Sequence, residues 1–255
     1  MLARQRQELI LDAVRTEGGV RVSELVNRLA VSDMTVRRDI DELARRGLVS
    51  RVHGGATAAG SSVEEPGFAA KSALHTAAKQ AIAEAAAALV EPGASVALSA
   101  GTTTHAVASV LLGIPRLTVV TNSLRVAEVL HASPRADLTV VLTGGERTPS
   151  DALVGPVAVA ALRGLHVDWL LMGVHGMDAE AGFTTPNLVE AETNRALLTS
   201  ARQVAVVADN SKWGVVGLST IATLDEVDVV VSDDGLEPEA RQVLEQSCGR
   251  LVLAA

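Results

Sequence analysis

Residues 31–55 read VSDMTVRRDIDELARRGLVSRVHGG, and the organisation of the chain follows from this stretch. Ser32 is a helix N-cap, and Asp33 puts negative charge in the first turn, where the helix dipole favours it. Val36, Ile40, Leu43 and Ala44 recur at helical spacing and form one apolar stripe. Gly47 stops the helix. The opposite surface presents Thr35, Arg38 and Arg45, with Arg37 at its edge. Asp41 and Glu42 lie further along, within one helical turn of Arg45 and Arg38. The first turns therefore offer hydroxyls and guanidiniums, and the later turns are partly neutralised. A helix whose N-terminal end enters a DNA major groove has this pattern. So does an ordinary solvated helix face, and the flanking segments decide between the two.

Arg4 to Glu17 has a helical pattern with Leu9, Ile10, Ala13 and Val14 facing inward, broken by Gly18-Gly19. Val20 to Val22 is a short extended piece, and Ser23 caps a second helix carrying Leu25, Val26 and Leu29. A tight turn, Ala30 to Ser32, leads into the helix described above. After Gly47, Leu48 to Val52 alternates and ends in His53-Gly54-Gly55, which reads as a β-wing. Helix, turn, helix and wing together favour duplex binding. Arg37 and Arg38 are the candidates for phosphate or guanine contact, and Ser32 and Thr35 for phosphate or base-edge contact. Arg51 and His53 reach phosphate or the minor groove. Asp39 holds a neighbouring arginine in place, and Arg4 and Arg6 are read as solvated surface. With no Tyr, two Phe and two Trp, stacking on single strands is disfavoured.

The charge distribution agrees with this reading. The 255 residues carry a net charge of -8, yet the first 56 hold ten Arg and eight Asp or Glu, a net of +2. A mildly basic head on an acidic body suits a DNA-binding domain joined to one that does not touch DNA. The 48% hydrophobic content supplies a large core. The one cysteine, Cys248, reads as a core residue, which suits a reducing compartment. No signal peptide or bilayer-length apolar run is present, so a cytoplasmic protein with no membrane partner is expected.

Thr57 to Phe68 is small, polar and Pro/Gly-bearing, and reads as a linker. The expected division is residues 1–56, a linker at 57–68 and a body at 69–255. In the body, a long Ala-rich helix from Ala69 to Val90 is followed by short apolar strands alternating with helices. That pattern means a mostly parallel α/β sheet covered on both faces.

Polar residues gather just after the strands, at the edge where open α/β sheets bind ligands. Gly101-Thr102-Thr103-Thr104 opens a helix with free N–H groups and hydroxyls, an anion site or else a plain helix cap. Lys212, one of three lysines in the chain, follows another strand. Asn122, Asp209 and Glu190 or Glu192 suit sugar hydroxyls, although the glutamates also fit a solvated helix face. Gly144-Gly145 reads as part of the site or as a turn. The set fits a phosphorylated sugar or polyol. No dinucleotide fingerprint, Walker motif, metal spacing or nucleophile elbow is present.

The segment Arg4 to Ala56 resembles the DeoR-type winged helix-turn-helix. The resemblance is carried by Val31-Ser32, Thr35-Val36-Arg37-Arg38-Asp39-Ile40, Leu43, Gly47-Leu48 and Arg51-Val52-His53-Gly54-Gly55-Ala56. Lys79 to Asp233 is similar to the DeoR C-terminal sensor domain, itself similar to ribose-phosphate isomerases. The matching pieces are Gly101 to Thr104, Thr121-Asn122-Ser123, Thr143-Gly144-Gly145, Gly182 to Thr185, Glu190-Ala191-Glu192 and Asp209 to Lys212. Ser99 replaces the family's usual acid, and Asn194-Arg195 stands where Lys is common. The resemblance implies a homo-oligomeric (dimeric or tetrameric) repressor of double-stranded operator DNA, with no cofactor and a phosphorylated-sugar effector. The rival expectation is a sugar-phosphate isomerase-like enzyme with an accessory head.

Overall fold

The computed structural model describes residues 3–17, 19–45, 48–52, 54–58 and 67–255. The chain divides into two compact units, residues 1–64 and 65–255.

The first unit runs α1 (Ala3–Glu17), β1 (Gly19–Arg21), α2 (Val22–Leu29), α3 (Asp33–Arg45), β2 (Val49–Val52) and β3 (Gly55–Ala58). The α2 helix starts one residue before the expected Ser23 cap. Arg21 is its N-cap, and the Glu24 carboxylate accepts from the Arg21 N–H at 3.4 Å. The turn between α2 and α3 is closed by Ala30 in the left-handed region, φ 52°. That conformation costs a non-glycine residue about 1 kcal/mol, which the packing of two short amphipathic helices offsets. Ile10, Val14, Val36, Ile40, Leu43 and Val49 are buried together in the centre of the unit. Leu9, expected inward, is 49% exposed, because the stripe of α1 that faces α3 is set by Ile10 and Val14.

The strands pair antiparallel in the order β1-β3-β2. Gly54 makes the wing turn with φ 78°. Gly55 is a strand residue instead: a Cβ there would lie 2.2 Å from the Val20 carbonyl oxygen. The β3 strand continues through Thr57 and Ala58, which the sequence reading assigned to the linker and which pair with Gly19, Ser50 and Val49. Gly47 and His53 lie outside the described residues.

The second unit opens with α4 (Phe68–Ser72) and α5 (Thr76–Ala87). The expected single Ala-rich helix is thus two, broken by His75, which adopts φ 52°. Next come β4 (Ser95–Leu98), α6 (Thr102–Leu111), β5 (Thr118–Thr121), α7 (Leu124–His131) and β6 (Thr139–Leu142). A small hairpin, β7 (Glu146–Arg147) and β8 (Leu153–Val154), leads into α8 (Pro156–Leu162) and β9 (Val167–Met172). Then follow β10 (Gly176–Asp178), β11 (Gly182–Thr185), α9 (Leu188–Ser200), β12 (Ala201–Val207) and β13 (Ser219–Ala222). The chain closes with β14 (Val229–Asp233), α10 (Pro238–Ser247) and β15 (Arg250–Ala254).

Seven strands form one parallel sheet in the order β15-β14-β12-β9-β4-β5-β6. Its strands are near-continuous apolar runs because helices cover both faces, each face with its own buried cluster. The stretch between β9 and α9, whose sequence suggests a long Gly-containing loop, instead contains a hairpin. With β13 it makes a separate antiparallel sheet, β10-β11-β13. The topology places the site. From β4 the chain winds outward through β5 to β6, then returns to lay β9 against the other side of β4 and winds away through β12, β14 and β15. The direction reverses between β4 and β9, and at such a point the loops after neighbouring strands part and leave a crevice.

Candidate functional site

In the first unit, the exposed start of α3 is the candidate nucleic-acid surface. The Ser32 hydroxyl accepts from the Thr35 N–H at 3.3 Å, and the two hydroxyls lie 2.8 Å apart. Ser32 is therefore the cap, and both hydroxyls sit at the outer end of the helix. Arg37 is not free: its Nε donates to the Asp33 carboxylate at 2.6 Å on the exposed surface. Arg51 pairs with Asp41 at 2.8 Å, and Arg45 pairs with Glu42. Arg38 is exposed and makes no hydrogen bond or ion pair among the described residues. It lines an open groove with Ser32, Thr35 and Met34. Met34 is 75% exposed at the second position of α3 and was missed from sequence. Apolar exposure at the start of such a helix suits contact with a thymine methyl.

Asp39 faces inward, 4% exposed, and takes both Nε and Nη2 of Arg6, with Gln7 Nε2 at 3.4 Å. The expectation that Asp39 holds an arginine is met, but the partner is Arg6 of α1. Arg6 is therefore not solvated surface: its side chain is 12% exposed, because the buried carboxylate draws it in.

In the second unit, a cavity of about 50 Å³ lies at the β4–β9 switch point. Gly101, Thr102 and Thr103 from the start of α6 form one wall, and Gly173 to His175, which follow β9, form another. Lys212 enters from the loop after β12, Glu190 from the first turn of α9, and Lys71 from α4. Gly101 adopts φ 159°, a conformation that other residues rarely take. A Cβ there would lie 3.2 Å from Thr104 Oγ1 and 3.9 Å from the Gly173 Cα.

Several expected effector residues lie off the cavity wall. Asn122 is fully buried; its Oδ1 accepts from the Ala100 N–H at 3.0 Å and its Nδ2 donates to the Leu153 carbonyl at 3.1 Å. It shapes the Thr102 turn from behind. Thr104 is buried with its hydroxyl on the Gly101 carbonyl at 3.0 Å. Gly144 and Gly145 make the left-handed turn after β6, and a Cβ on Gly145 would meet the Val154 carbonyl oxygen at 2.5 Å. Glu192 points to solvent. The Ser99 hydroxyl accepts from the Gly173 N–H at 3.0 Å and so stitches the β4 and β9 exits together. Arg195 reaches Thr220 and Ser219 of β13.

Asp209 caps the short turn carrying Lys212. Its Oδ1 accepts from the Ser211 N–H at 3.1 Å and from the Ser211 hydroxyl, while Oδ2 is buried without a hydrogen bond. Burial pushes its pKa up, but Lys212, the Ser211 hydroxyl, His75 and Lys79 together hold it below the usual carboxylate value. Burial lowers Lys79 to about 8, helped by Lys212 and Lys71 and opposed by Asp209. Burial also lowers His175 to about 4, with the positive field of Lys212 and Lys71 acting in the same direction. The cavity is thus electropositive, with a neutral imidazole on its wall. Lys71, Lys79 and His175 were not singled out from sequence. Among the described residues, no group of three His, Cys, Asp or Glu side chains is placed to hold a metal ion. No described helix is long and apolar enough to cross a membrane.

The family model for the DeoR-like helix-turn-helix domain matches residues 6–62, and that for the DeoR C-terminal sensor domain matches residues 74–234. A putative aga operon transcriptional repressor of Escherichia coli O157:H7 is 33% identical over 252 residues, covering 98% of this chain and 93% of the relative. The glycerol-3-phosphate regulon repressor of Escherichia coli K12 is 34% identical over 241 residues, covering 94% of each. Ribose 5-phosphate isomerase A from Neisseria gonorrhoeae overlaps 55% of this chain and 54% of its own at 17% identity, with a TM-score of 0.40. With a reading helix in one unit, an electropositive strand-tip cavity in the other and family matches across both, the chain belongs to the DeoR family of DNA-binding transcriptional regulators.

Proposed function

We propose that the chain is a repressor of carbohydrate or polyol genes, released from operator DNA by a phosphorylated sugar or polyol at the β4–β9 cavity. One observation carries this reading. The α6 N-terminus, with the Thr102 and Thr103 hydroxyls, faces Lys212 across the switch point. N–H dipoles, hydroxyls and an ammonium converging on one crevice are complementary to a phosphate monoester. The two repressor names among the relatives, one of them for a glycerol-3-phosphate regulon, support it. Sensing is favoured over isomerase turnover by the regulator names of the relatives and by the β4 exit, which carries Ser99, engaged by the Gly173 N–H, in place of an acid.

DNA contact runs through α3, with Arg38 the foremost base or phosphate contact. A homo-oligomer presenting two α3 helices to paired half-sites supplies the affinity that one small basic head lacks. The effector acts by binding the DNA-competent and released forms unequally. Gel-shift titration of the chain against its own upstream DNA, at several salt concentrations, tests the reading. Arg38→Ala is expected to weaken binding about tenfold or more, in line with the ~1–3 kcal/mol of one Arg–guanine contact. Undiminished affinity would remove Arg38 from the interface. Glycerol 3-phosphate and pentose or hexose phosphates, added in turn, are expected to include one that releases the complex.

A further inference from the structure

The chain spends only three lysines, Lys71, Lys79 and Lys212, against nineteen arginines, and all three lie around one cavity. Lys212 and Lys71 line it, and Lys79 is buried close enough to both that their charges depress its own ionisation. Lys212 arrives at a strand tip, as a sheet-edge site requires. Lys71 does not: it comes from α4, ahead of every strand of the sheet and next in the chain to the segment that joins the two units.

The way α4 is held is unusual. It is five residues long and ends at a break where His75 sits at φ 52°. The carbonyls of Lys71 and Leu74 at this break both accept from the Lys79 ammonium, at 2.6 Å each. Phe68, at the other end of α4, meets the His105 ring edge-on at 5.4 Å and lies 5.6 Å from the Arg125 guanidinium. So short a helix has little stability of its own. Its position depends on Phe68, on the Lys79 staple and on whatever Lys71 meets in the cavity.

From this placement we propose that Lys71 is an anion-contacting residue of the sensor site, so that an anion bound between α6 and Lys212 fastens α4 to the body of the second unit. The proposal rests on the anion-site reading above and adds to it a third contributing element and a route for the signal. Occupancy is registered in the element adjoining the interdomain segment, without any movement of the parallel sheet. Among the described residues, Lys71, Lys79 and Lys212 gather here with the carboxylates of Glu190 on the cavity wall and Asp209 beside Lys212, while His175 is neutral.

The experiment is hydrogen–deuterium exchange on the full chain with inorganic phosphate as probe, alongside a phosphate titration. In the unsubstituted protein, phosphate is expected to slow exchange at residues 101–104 and also at residues 68–76, by severalfold. In Lys71→Met the affinity is expected to fall about tenfold, a loss of ~1.4 kcal/mol. At saturating phosphate, protection at residues 101–104 persists while protection at residues 68–76 disappears. Lys71→Arg, which keeps the charge, restores part of it and shows that the methionine variant is not simply misfolded. Protection of residues 101–104 alone in the unsubstituted chain, or unchanged phosphate affinity in Lys71→Met, overturns the role of Lys71 and leaves the anion site standing. Absence of any phosphate effect in the unsubstituted chain overturns the anion site itself, and this proposal with it.

Discussion

The two units handle positive charge in opposite ways. The first carries ten arginines and no lysine over its leading 56 residues, and among the described residues Arg4, Arg6, Arg37, Arg45 and Arg51 each meet a carboxylate. The second gathers all three lysines of the chain around one small cavity. A guanidinium is a planar fork of fixed geometry, suited to phosphates and guanine edges on a broad open surface. An ammonium is a compact charge on a flexible stem, able to fill a crevice from several directions. The head also keeps its acids near its bases, so its net charge is modest and register comes from placement. The body is acidic overall yet locally electropositive where a ligand would enter. Net charge of the whole chain therefore says nothing about either site.

Three experiments can break or sharpen this contrast. The largest effect is expected at Asp39, an acid of the reading helix that serves the fold and not the ligand. Asp39→Ala removes the buried carboxylate that takes both Nε and Nη2 of Arg6 and should destabilise the first unit by about 3 kcal/mol. A denaturation series on Arg6→Ala, Asp39→Ala and the double variant checks it. If the double variant loses the plain sum of the two, the pair is not coupled.

Next is the electropositive cavity, through His175. Its folded value near 4 lies below the ordinary 6.5, so the unfolded chain takes up a proton first as the solution is acidified. Its contribution is intact above pH 6.5 and is lost as pH falls towards 4. Unfolding free energies measured at pH 7.5 and 4.5 should differ by about 2 kcal/mol less in His175→Gln than in the unsubstituted protein. Equal differences would mean that the imidazole is not held neutral there.

The smallest effect, about tenfold or 1.4 kcal/mol each, is expected from exchanging the two cations. Arg38→Lys should weaken operator binding because the bidentate fork is lost. Lys212→Arg should weaken phosphate binding because the guanidinium needs room that a cavity of about 50 Å³ does not provide. If both variants behave like their parents, charge alone is being read in both units and the contrast has no chemical content.

Much of the fold is legible in the sequence where local chemistry is self-sufficient. Asn187 and Ser123 cap α9 and α7 with their own side chains, and both helices run where the apolar spacing places them. The parallel strands announce themselves as buried valine and leucine runs. What is not legible depends on partners distant in sequence. The β10-β11-β13 sheet is built from short glycine-bearing pieces whose pairing is set by tertiary packing. The break at His75 has no glycine or proline to mark it. Arg6 and Asp39 are 33 positions apart. At the site, strand tips lead to Gly101, Thr102, Thr103 and Lys212, which line the cavity, but a polar residue at a tip can equally be spent on the backbone, as Asn122 and Ser99 are. Lys71 belongs to no strand tip, so only the assembled cavity reveals it.

The wing also bears on how the head is held together. Its last strand, β3, is the middle one of three, hydrogen-bonded to β1 on one flank and β2 on the other. It is thus the best-anchored strand of that sheet. Two ladders share the work of holding it, one to β1 and one to β2. Within the first unit, strand pairing therefore stands behind the wing, and the open surface at the start of α3 rests on a sheet closed on both sides of β3.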